Sequence, residues 1–329
     1  MHGRSLLTLK DYTKEEILSL LHLADTLKRK KRGQAVPAHL EGKLLADKNI
    51  VLIFDKSSTR TRCSFEVAAF DEGANVTFLT ASQMGAKESI EDTAKVLGRL
   101  YDGIEYRGYA FSIIEELARH SGVPVWNGLT DDDHPTQTLA DVMTAVEHTG
   151  KPADRLKIAY IGDGRNNVSN ALLIGAAKIG YEYRIATPKE LFPSNEMLDW
   201  ATYERASFSV TTDPYEAVKG VDVIYTDVWF SMGEEEKAAE RIALLKEYQV
   251  TMDLLEASGN PKVIFEHCLP AFHDRNTTVM ASLSEQFGIE AMEVTDEVFR
   301  SKHSVVFDQA ENRMHTIKAV MVATLTGIL

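Results

Sequence analysis

Cysteine is scarce. The 329 residues hold two, Cys63 and Cys268, far apart and with no CxxC pair. That argues against a disulfide framework or a structural zinc site, and it fits a reducing cytoplasm. Positive charge is also short. Lys and Arg number 36 against 49 Asp and Glu, for a formal net charge of −13. The chain therefore lacks the basic footprint that a nucleic-acid binder needs. A small anionic ligand stays open, because local arginines decide that. Long apolar runs are missing too. The opening MHGRSLLTLKDYTKEE holds no apolar stretch of signal-peptide length. The most apolar tail, Ala319 to Leu329, is too short to span a bilayer. There is no short-period repeat and no low-complexity segment. What remains is an ordinary globular composition, 44% hydrophobic and 26% charged. Its length suits two domains of roughly 150 residues each.

Strand and helix patterns alternate along the chain. Residues 13 to 32 read as a helix, with Thr13 and Glu16 as a capping box, apolar Ile17, Leu20, Leu21 and Ala24, and Gly33 as the stop. Its basic last turn, Lys28 to Arg32, suits a helix C-terminus; a nucleic-acid patch is the competing reading. KNIVLIF reads as a buried strand before a helix from about Thr59 to Phe70. ANVTFL, GIEYRG and VPVWNG are further strands, and HPTQTLADVMTAVEH (134–148) a helix. Gly150, Lys151 and Pro152 mark the expected domain boundary. LKIAYIGDG, YEYRIAT, ASFSVTT, VDVIYTDVW and KVIFEHCLP repeat the style, and a helix closes the chain. The pattern predicts an α/β protein of two doubly wound parallel-sheet domains. Ligands of such sheets sit beyond the C-terminal strand ends. Polar residues recur at those ends in both halves, so one site in a cleft between the domains is expected.

The segment FDKSSTRTRCSFEVAAF poses an electrostatic question. Ser58 reads as an N-cap, yet the first turn carries Arg60 and no acid. A helix N-terminus prefers anions. An oxyanion docked on the free N–H groups, the hydroxyls of Ser58, Thr59 and Thr61, and the Arg60 guanidinium would resolve the conflict. Arg62, further in, suits a structural pairing with an acid. In DDDHPTQ, His134 and Gln137 lie one turn apart on one face. Arg107 leaves a strand end. HCLP leaves the carbonyls of Cys268 and Leu269 open to accept hydrogen bonds; the thiol reads as a nucleophile or as a small buried hydrophobe. GDGRNNV departs from G-x-G-x-x-G at Asn167, so a dinucleotide site is disfavoured. Asn166 and Asn167 offer amides suited to an amino-acid carboxylate.

SSTRTR, HPTQ, TDVWFSMG, HCLPAFH and ENRMHT, in this order and spacing, resemble the aspartate/ornithine carbamoyltransferase family over nearly the whole chain. DVWxSMG and HCLP point to its ornithine branch. The resemblance implies a carbamoyl-phosphate domain at 1–149, rejoined by a helix at about 310–329, and an ornithine domain at 150–309. It implies that Ser58, Thr59, Arg60, Thr61 and Arg107 hold phosphate, that His134 and Gln137 join Arg107 at the carbamoyl group, and that Cys268, Leu269 and Arg313 complete the site. Gln83 is expected from a neighbouring subunit of a homotrimer or an assembly of trimers. Asn167, Asp227, Ser231 and Met232 are expected to bind ornithine. Arg60, Arg107, His134 and Cys268 carry the catalytic expectation, with no metal, no organic cofactor, no membrane and no nucleic acid.

The implied reaction is attack of the ornithine δ-amine on carbamoyl phosphate, giving citrulline and phosphate. It needs a phosphate cradle, oxyanion donors (Thr61, Arg107, His134) and a neutral amine, and no acyl-enzyme. Gly233 in SMG suggests a mobile lid. Rival readings are transfer to aspartate or putrescine, a nicotinamide-dependent dehydrogenase, and a non-catalytic binding subunit. An aspartate enzyme should supply cations for a second carboxylate, and SMG offers none. A binding subunit is expected to lose Arg60, Arg107 or His134, and all three stand.

Overall fold

The computed structural model describes residues 1–80, 83–230 and 237–329. It divides into two compact units, Met1–Met143 with Ala310–Leu329, and Thr144–Gln309.

The first unit is built on four parallel strands: β1 (Asn49–Phe54), β2 (Asn75–Leu79), β3 (Gly103–Arg107) and β4 (Val125–Leu129). Their order is β2-β1-β3-β4. β1 is buried at every residue after Asn49, as expected of a central parallel strand covered on both faces. Helices α1 (Lys14–Lys31), α2 (Thr59–Asp71), α3 (Ile90–Leu100), α4 (Phe111–Ser121) and α5 (Pro135–Thr149) follow the sequence pattern closely. α1 has the full capping box, the Thr13 side chain accepting from the Glu16 N–H and Glu16 answering on Thr13. Its basic end is spent on structure. Lys28 donates to Asn312 Oδ1 at 2.7 Å, Lys30 pairs with Glu72 at 2.7 Å, and Lys31 pairs with Asp71 at 2.5 Å. Val51, Ile53, Ile104, Tyr106, Ile114 and Leu117 form the core between sheet and helices.

The second unit holds five parallel strands: β5 (Lys157–Ile161), β6 (Glu182–Ala186), β7 (Phe208–Thr211), β8 (Val223–Thr226) and β9 (Ile264–His267). Their order is β7-β6-β5-β8-β9. α6 (Asn167–Ile179), α7 (Asn195–Tyr203), α8 (Pro214–Ala217), α9 (Ala238–Leu245), α10 (Met252–Ala257), α11 (Thr278–Phe287) and α12 (Asp296–Phe299) connect or flank them, and α13 (Val306–Thr326) closes the chain. Together the two sheets make the α/β class and the parallel, doubly wound style expected from the alternating pattern.

The strand order matters for function. In the first sheet the chain winds away from β1 in one direction to β2 and in the other to β3. In the second it does the same about β5 and β8. Each sheet thus has a switch point where two loops diverge and leave a crevice. The first is flanked by the β1 exit, Asp55–Ser58, and the β3 exit at Arg107. The second is flanked by Gly162–Asn166 and by Asp227.

Candidate functional site

At the first switch point, Ser58 is extended (φ −162°) and caps α2, its hydroxyl oxygen accepting from the Thr61 N–H at 3.2 Å. Such a cap is worth about 1 kcal/mol. α2 has no acid in its first turn. Thr61 is buried beneath that end, and its Oγ1 accepts from two arginines: Arg107 Nη1 at 3.3 Å and Arg313 Nη2 at 3.1 Å. A register shift between Tyr106 and Arg107 skips Gly128, so Arg107 stands opposite Leu129. The extra residue belongs to β4, so the alternation of β3 itself runs on to Arg107. The Arg107 carbonyl accepts from the N–H groups of Asp55 (2.9 Å) and Lys56 (3.3 Å), tying β3 to the loop that leads into α2.

Arg313 is the hub. Besides Thr61 it donates through Nη1 to Gln137 Oε1 at 2.6 Å and contacts His134 Nε2 at 3.3 Å; Nη2 reaches Thr136 Oγ1 at 3.4 Å. Gln137 passes the chain on, its amide donating to Asp141 Oδ1 at 2.7 Å. A guanidinium can only donate, so His134 Nε2 accepts and the ring proton sits on Nδ1. Nδ1 has no hydrogen-bond partner among the described residues. Burial, then the charges of Arg313, Arg107 and Arg60, hold His134 well below the usual histidine range. It is a neutral imidazole. His134 just precedes Pro135, the first residue of α5, and its carbonyl accepts from the Gln137 N–H at 3.0 Å. Proline at a helix start needs no N–H partner and presets the helical φ.

Two acids in this layer escaped the sequence reading. Glu105 is fully buried, with no hydrogen bond to either carboxyl oxygen among the described residues. Burial pushes its carboxyl well above the usual range, with Arg107 and Arg313 pulling the other way. It is wedged against Gly128, where a Cβ would lie 1.7 Å from Glu105 Oε1. The available signal was its position in β3, two residues before Arg107 and hence on the same sheet face. Asp133 is buried too, accepts from the His134 N–H at 2.7 Å, and is raised by burial to about 7.

The structure thus brings together Ser58, Thr61, Arg107, His134, Gln137 and Arg313, with Thr59 and Arg60 on the same helix end. Gln83 stands apart, exposed, its carbonyl anchoring the turn at Ala86 to Glu88. Arg62 is not part of the cradle. Its Nε donates to Glu66 Oε1 at 2.8 Å and its guanidinium lies 3.7 Å over the Phe78 ring.

At the second switch point Asn166 caps α6, its Oδ1 accepting from the Val168 N–H at 2.7 Å, and Asn167 is the first helical residue. Asp227 is buried at the exit of β8, its Oδ1 accepting from the Val228 N–H at 2.8 Å and from the Cys268 thiol at 3.0 Å. Leu269 follows in a left-handed conformation (φ 60°), a strained state for a branched side chain, costing about 1–3 kcal/mol. It is held by a hydrogen bond from its N–H to His267 Nδ1 at 2.9 Å, while His267 Nε2 is 3.1 Å from Glu293 Oε1. Ser231, Met232 and Gly233 lie outside the described residues.

Among the described residues, two clusters have the residue types of a metal site. In Asp227, His267 and Cys268, both imidazole nitrogens of His267 are already engaged. In His273, Asp274 and Asp296, the Arg300 guanidinium already sits on both carboxylates, at 3.3 and 2.8 Å. Neither donor set suits a resident cation.

Residues 4–147 match the carbamoyl-P binding domain of the aspartate/ornithine carbamoyltransferases, and residues 154–324 their Asp/Orn binding domain. The sequence is 58% identical over 327 residues to a catabolic ornithine carbamoyltransferase of Bacillus cereus, covering 99% of this chain and 97% of that one. It is 58% identical over 332 residues to an ornithine carbamoyltransferase of Limosilactobacillus reuteri, covering 99% and 98%. Among solved structures, the ornithine carbamoyltransferase of Pyrococcus furiosus superposes with a TM-score of 0.87 at 42% identity, covering 100% of this chain and 99% of that one.

Proposed function

The chain belongs to the aspartate/ornithine carbamoyltransferase family, and from that premise we propose how its residues move a carbamoyl group from carbamoyl phosphate to the δ-amine of L-ornithine. The observation that carries the reading is the single constellation of Thr61, Arg107, Arg313, His134 and Gln137 at an acid-free helix N-terminus.

Carbamoyl phosphate brings a dianionic phosphate. The first N–H groups of α2, the hydroxyls of Ser58, Thr59 and Thr61, and the guanidinium groups of Arg60 and Arg107 receive it. No acid competes for these donors in the first turn of α2. The carbamoyl oxygen lies with Thr61, Arg107 and His134, and the carbamoyl amide with Gln137 and the carbonyls of Cys268 and Leu269. Arg313 orients Thr61, His134 and Gln137 together. Gln83 comes from a second copy of the chain.

Ornithine binds through its α-carboxylate on Asn167 and Met232 and its α-ammonium on Asp227 and Ser231. The neutral δ-amine attacks the carbamoyl carbon. The C=O π electrons move onto oxygen, where Thr61, Arg107 and His134 stabilise the charge. One such donor contributes roughly 3 kcal/mol to the barrier. The C–O bond to phosphate then breaks, the carbonyl re-forms, and the nitrogen loses a proton to the departing phosphate. Citrulline and inorganic phosphate remain. The neutrality of His134 matters here, since it donates without adding another positive charge beside three arginines. Cys268 is a thiol donating to Asp227 and forms no covalent intermediate.

In this reading residues 1–149 with the closing helix serve the donor and residues 150–309 the acceptor. The protein works in the cytoplasm, where two thiols outside any disulfide are stable. It assembles as a homotrimer or a multiple of trimers; exposed Val67, Phe70, Val96 and Leu100 on α2 and α3 support such a contact. The catabolic naming of the Bacillus relative supports a place in arginine degradation. Parallel assays of transfer from carbamoyl phosphate to ornithine, aspartate and putrescine test the assignment. Transfer to ornithine no faster than to putrescine would overturn it.

A further inference from the structure

Asp163 lies in the turn between β5 and α6, ahead of the two asparagines, and no step above uses it. Its carboxylate is a junction. Oδ1 accepts from the Arg165 N–H at 2.9 Å, and Oδ2 accepts from Arg241 Nη1 at 2.8 Å. Its carbonyl accepts from the Asn166 N–H at 3.1 Å. Burial pushes the Asp163 carboxyl up, against the pull of Arg241 and Arg165. Both partners are largely out of water, the side chains 10% and 19% exposed.

The rest of this turn is held from the other side. The Gly164 N–H donates to Thr187 Oγ1 at 3.1 Å, and Arg165 Nε donates to the Phe192 carbonyl at 2.9 Å. Gly164 has no room for a side chain, since a Cβ would lie 2.7 Å from the Leu191 carbonyl oxygen. Arg241 is on α9. One shielded ion pair therefore ties the turn that presents Asn166 and Asn167 to α9.

We propose that the Asp163–Arg241 pair is a positioning device for the acceptor, resting on the assignment of ornithine to Asn167 and its neighbours. Two physical effects act in the same direction. The pair fixes the turn that sets the start of α6. It also neutralises a carboxylate that would otherwise repel the substrate's own α-carboxylate near those asparagines. A residue with this role acts on acceptor binding and leaves donor binding alone.

Steady-state kinetics of the intact enzyme test this with R241Q, R241K and the double variant D163N/R241Q. R241Q is expected to raise the ornithine KM about tenfold, the size of one misplaced polar contact, with the carbamoyl phosphate KM within about twofold. R241K keeps the charge without the fork and is expected to raise it only about threefold; it carries the same test should R241Q fold poorly. The double variant removes the stranded carboxylate and is expected to bind ornithine better than R241Q. A merely structural role would move both KM values together and give no recovery in the double variant, and either result overturns the proposal. So does an ornithine KM unchanged in R241Q while the unaltered enzyme uses ornithine; absence of ornithine transfer by the unaltered enzyme overturns the functional assignment as well.

Discussion

Replacing Arg313 with methionine should disable the donor site while keeping its volume filled. The wild-type guanidinium reaches Gln137 Oε1 at 2.6 Å and Thr61 Oγ1 at 3.1 Å, with longer contacts to His134 Nε2 at 3.3 Å and Thr136 Oγ1 at 3.4 Å. Only the first two are short enough to weigh heavily. A hydrogen bond from a charged donor is worth about 1.5–3 kcal/mol, so two would give about 3–6 kcal/mol if they added. They share one guanidinium and one fold of the site, so the lower part, about 3–4 kcal/mol, is expected. That corresponds to a loss of roughly 10²- to 10³-fold in kcat/KM for carbamoyl phosphate at saturating ornithine. Methionine is close in size and buries no unpaired charge, so the fold should survive; urea unfolding checks this. R313K keeps one charge and loses the fork, and should fall between the two. His134 reports independently. Arg313 is the leading charge that holds it down after burial, so its pKa should rise in R313M, visible by NMR titration. A folded R313M protein that keeps kcat/KM within about fivefold of wild type would refute the reasoning, since no single one of these contacts would then matter to the transition state.

Two further expectations concern stability. Burial lowers His315 to about 4, against the usual 6.5. Between these values the unfolded chain binds more protons than the folded one, so this residue's contribution is lost as pH falls from 6.5 towards 4, by up to roughly 3 kcal/mol. Urea midpoints at pH 7.5 and 5 should therefore drop more in wild type than in H315Q, which can still donate to Glu311; equal drops would count against it. Gly98, in α3, faces the end of α4, where an added Cβ would lie 1.8 Å from the Ser121 carbonyl oxygen. Helix propensity alone favours G98A by about 1 kcal/mol. The backbone contact reverses the sign, and a net loss of about 1–3 kcal/mol is expected in urea unfolding; a stabilised G98A would show that α3 and α4 can separate freely.

Much of the local architecture was legible in the residues. Thr13 with Glu16 set the start of α1, and Ser58 set the start of α2, because capping is chemistry within four residues. β1 and β5 were legible as apolar runs because a covered parallel strand has no polar face. The conflict between an acid-free helix start and its arginine was the ground in sequence for expecting an anion there. Arg62 was separable from Arg60 in sequence, though its partner was not; only the structure sets it against Glu66 and Phe78.

What the sequence by itself determined is therefore local: which segments are strands and helices, where they begin, and which motif offers donors to an oxyanion. The order β2-β1-β3-β4 and the order β7-β6-β5-β8-β9 are another matter. They depend on which side of the first strand each crossover passes, and no short window of residues encodes that. Strand order decides which exits diverge, and so puts Thr61 beside Arg107. The closing helix then brings Arg313, 252 residues from Thr61, into the same hydrogen-bond network. The states of Glu105 and His134 follow from the same cause. Neither residue has an unusual neighbour in sequence; burial raises Glu105 against the pull of Arg107 and Arg313, while burial and the guanidinium charges together lower His134. Desolvation is a property of the packed interior, and only the tertiary structure supplies it.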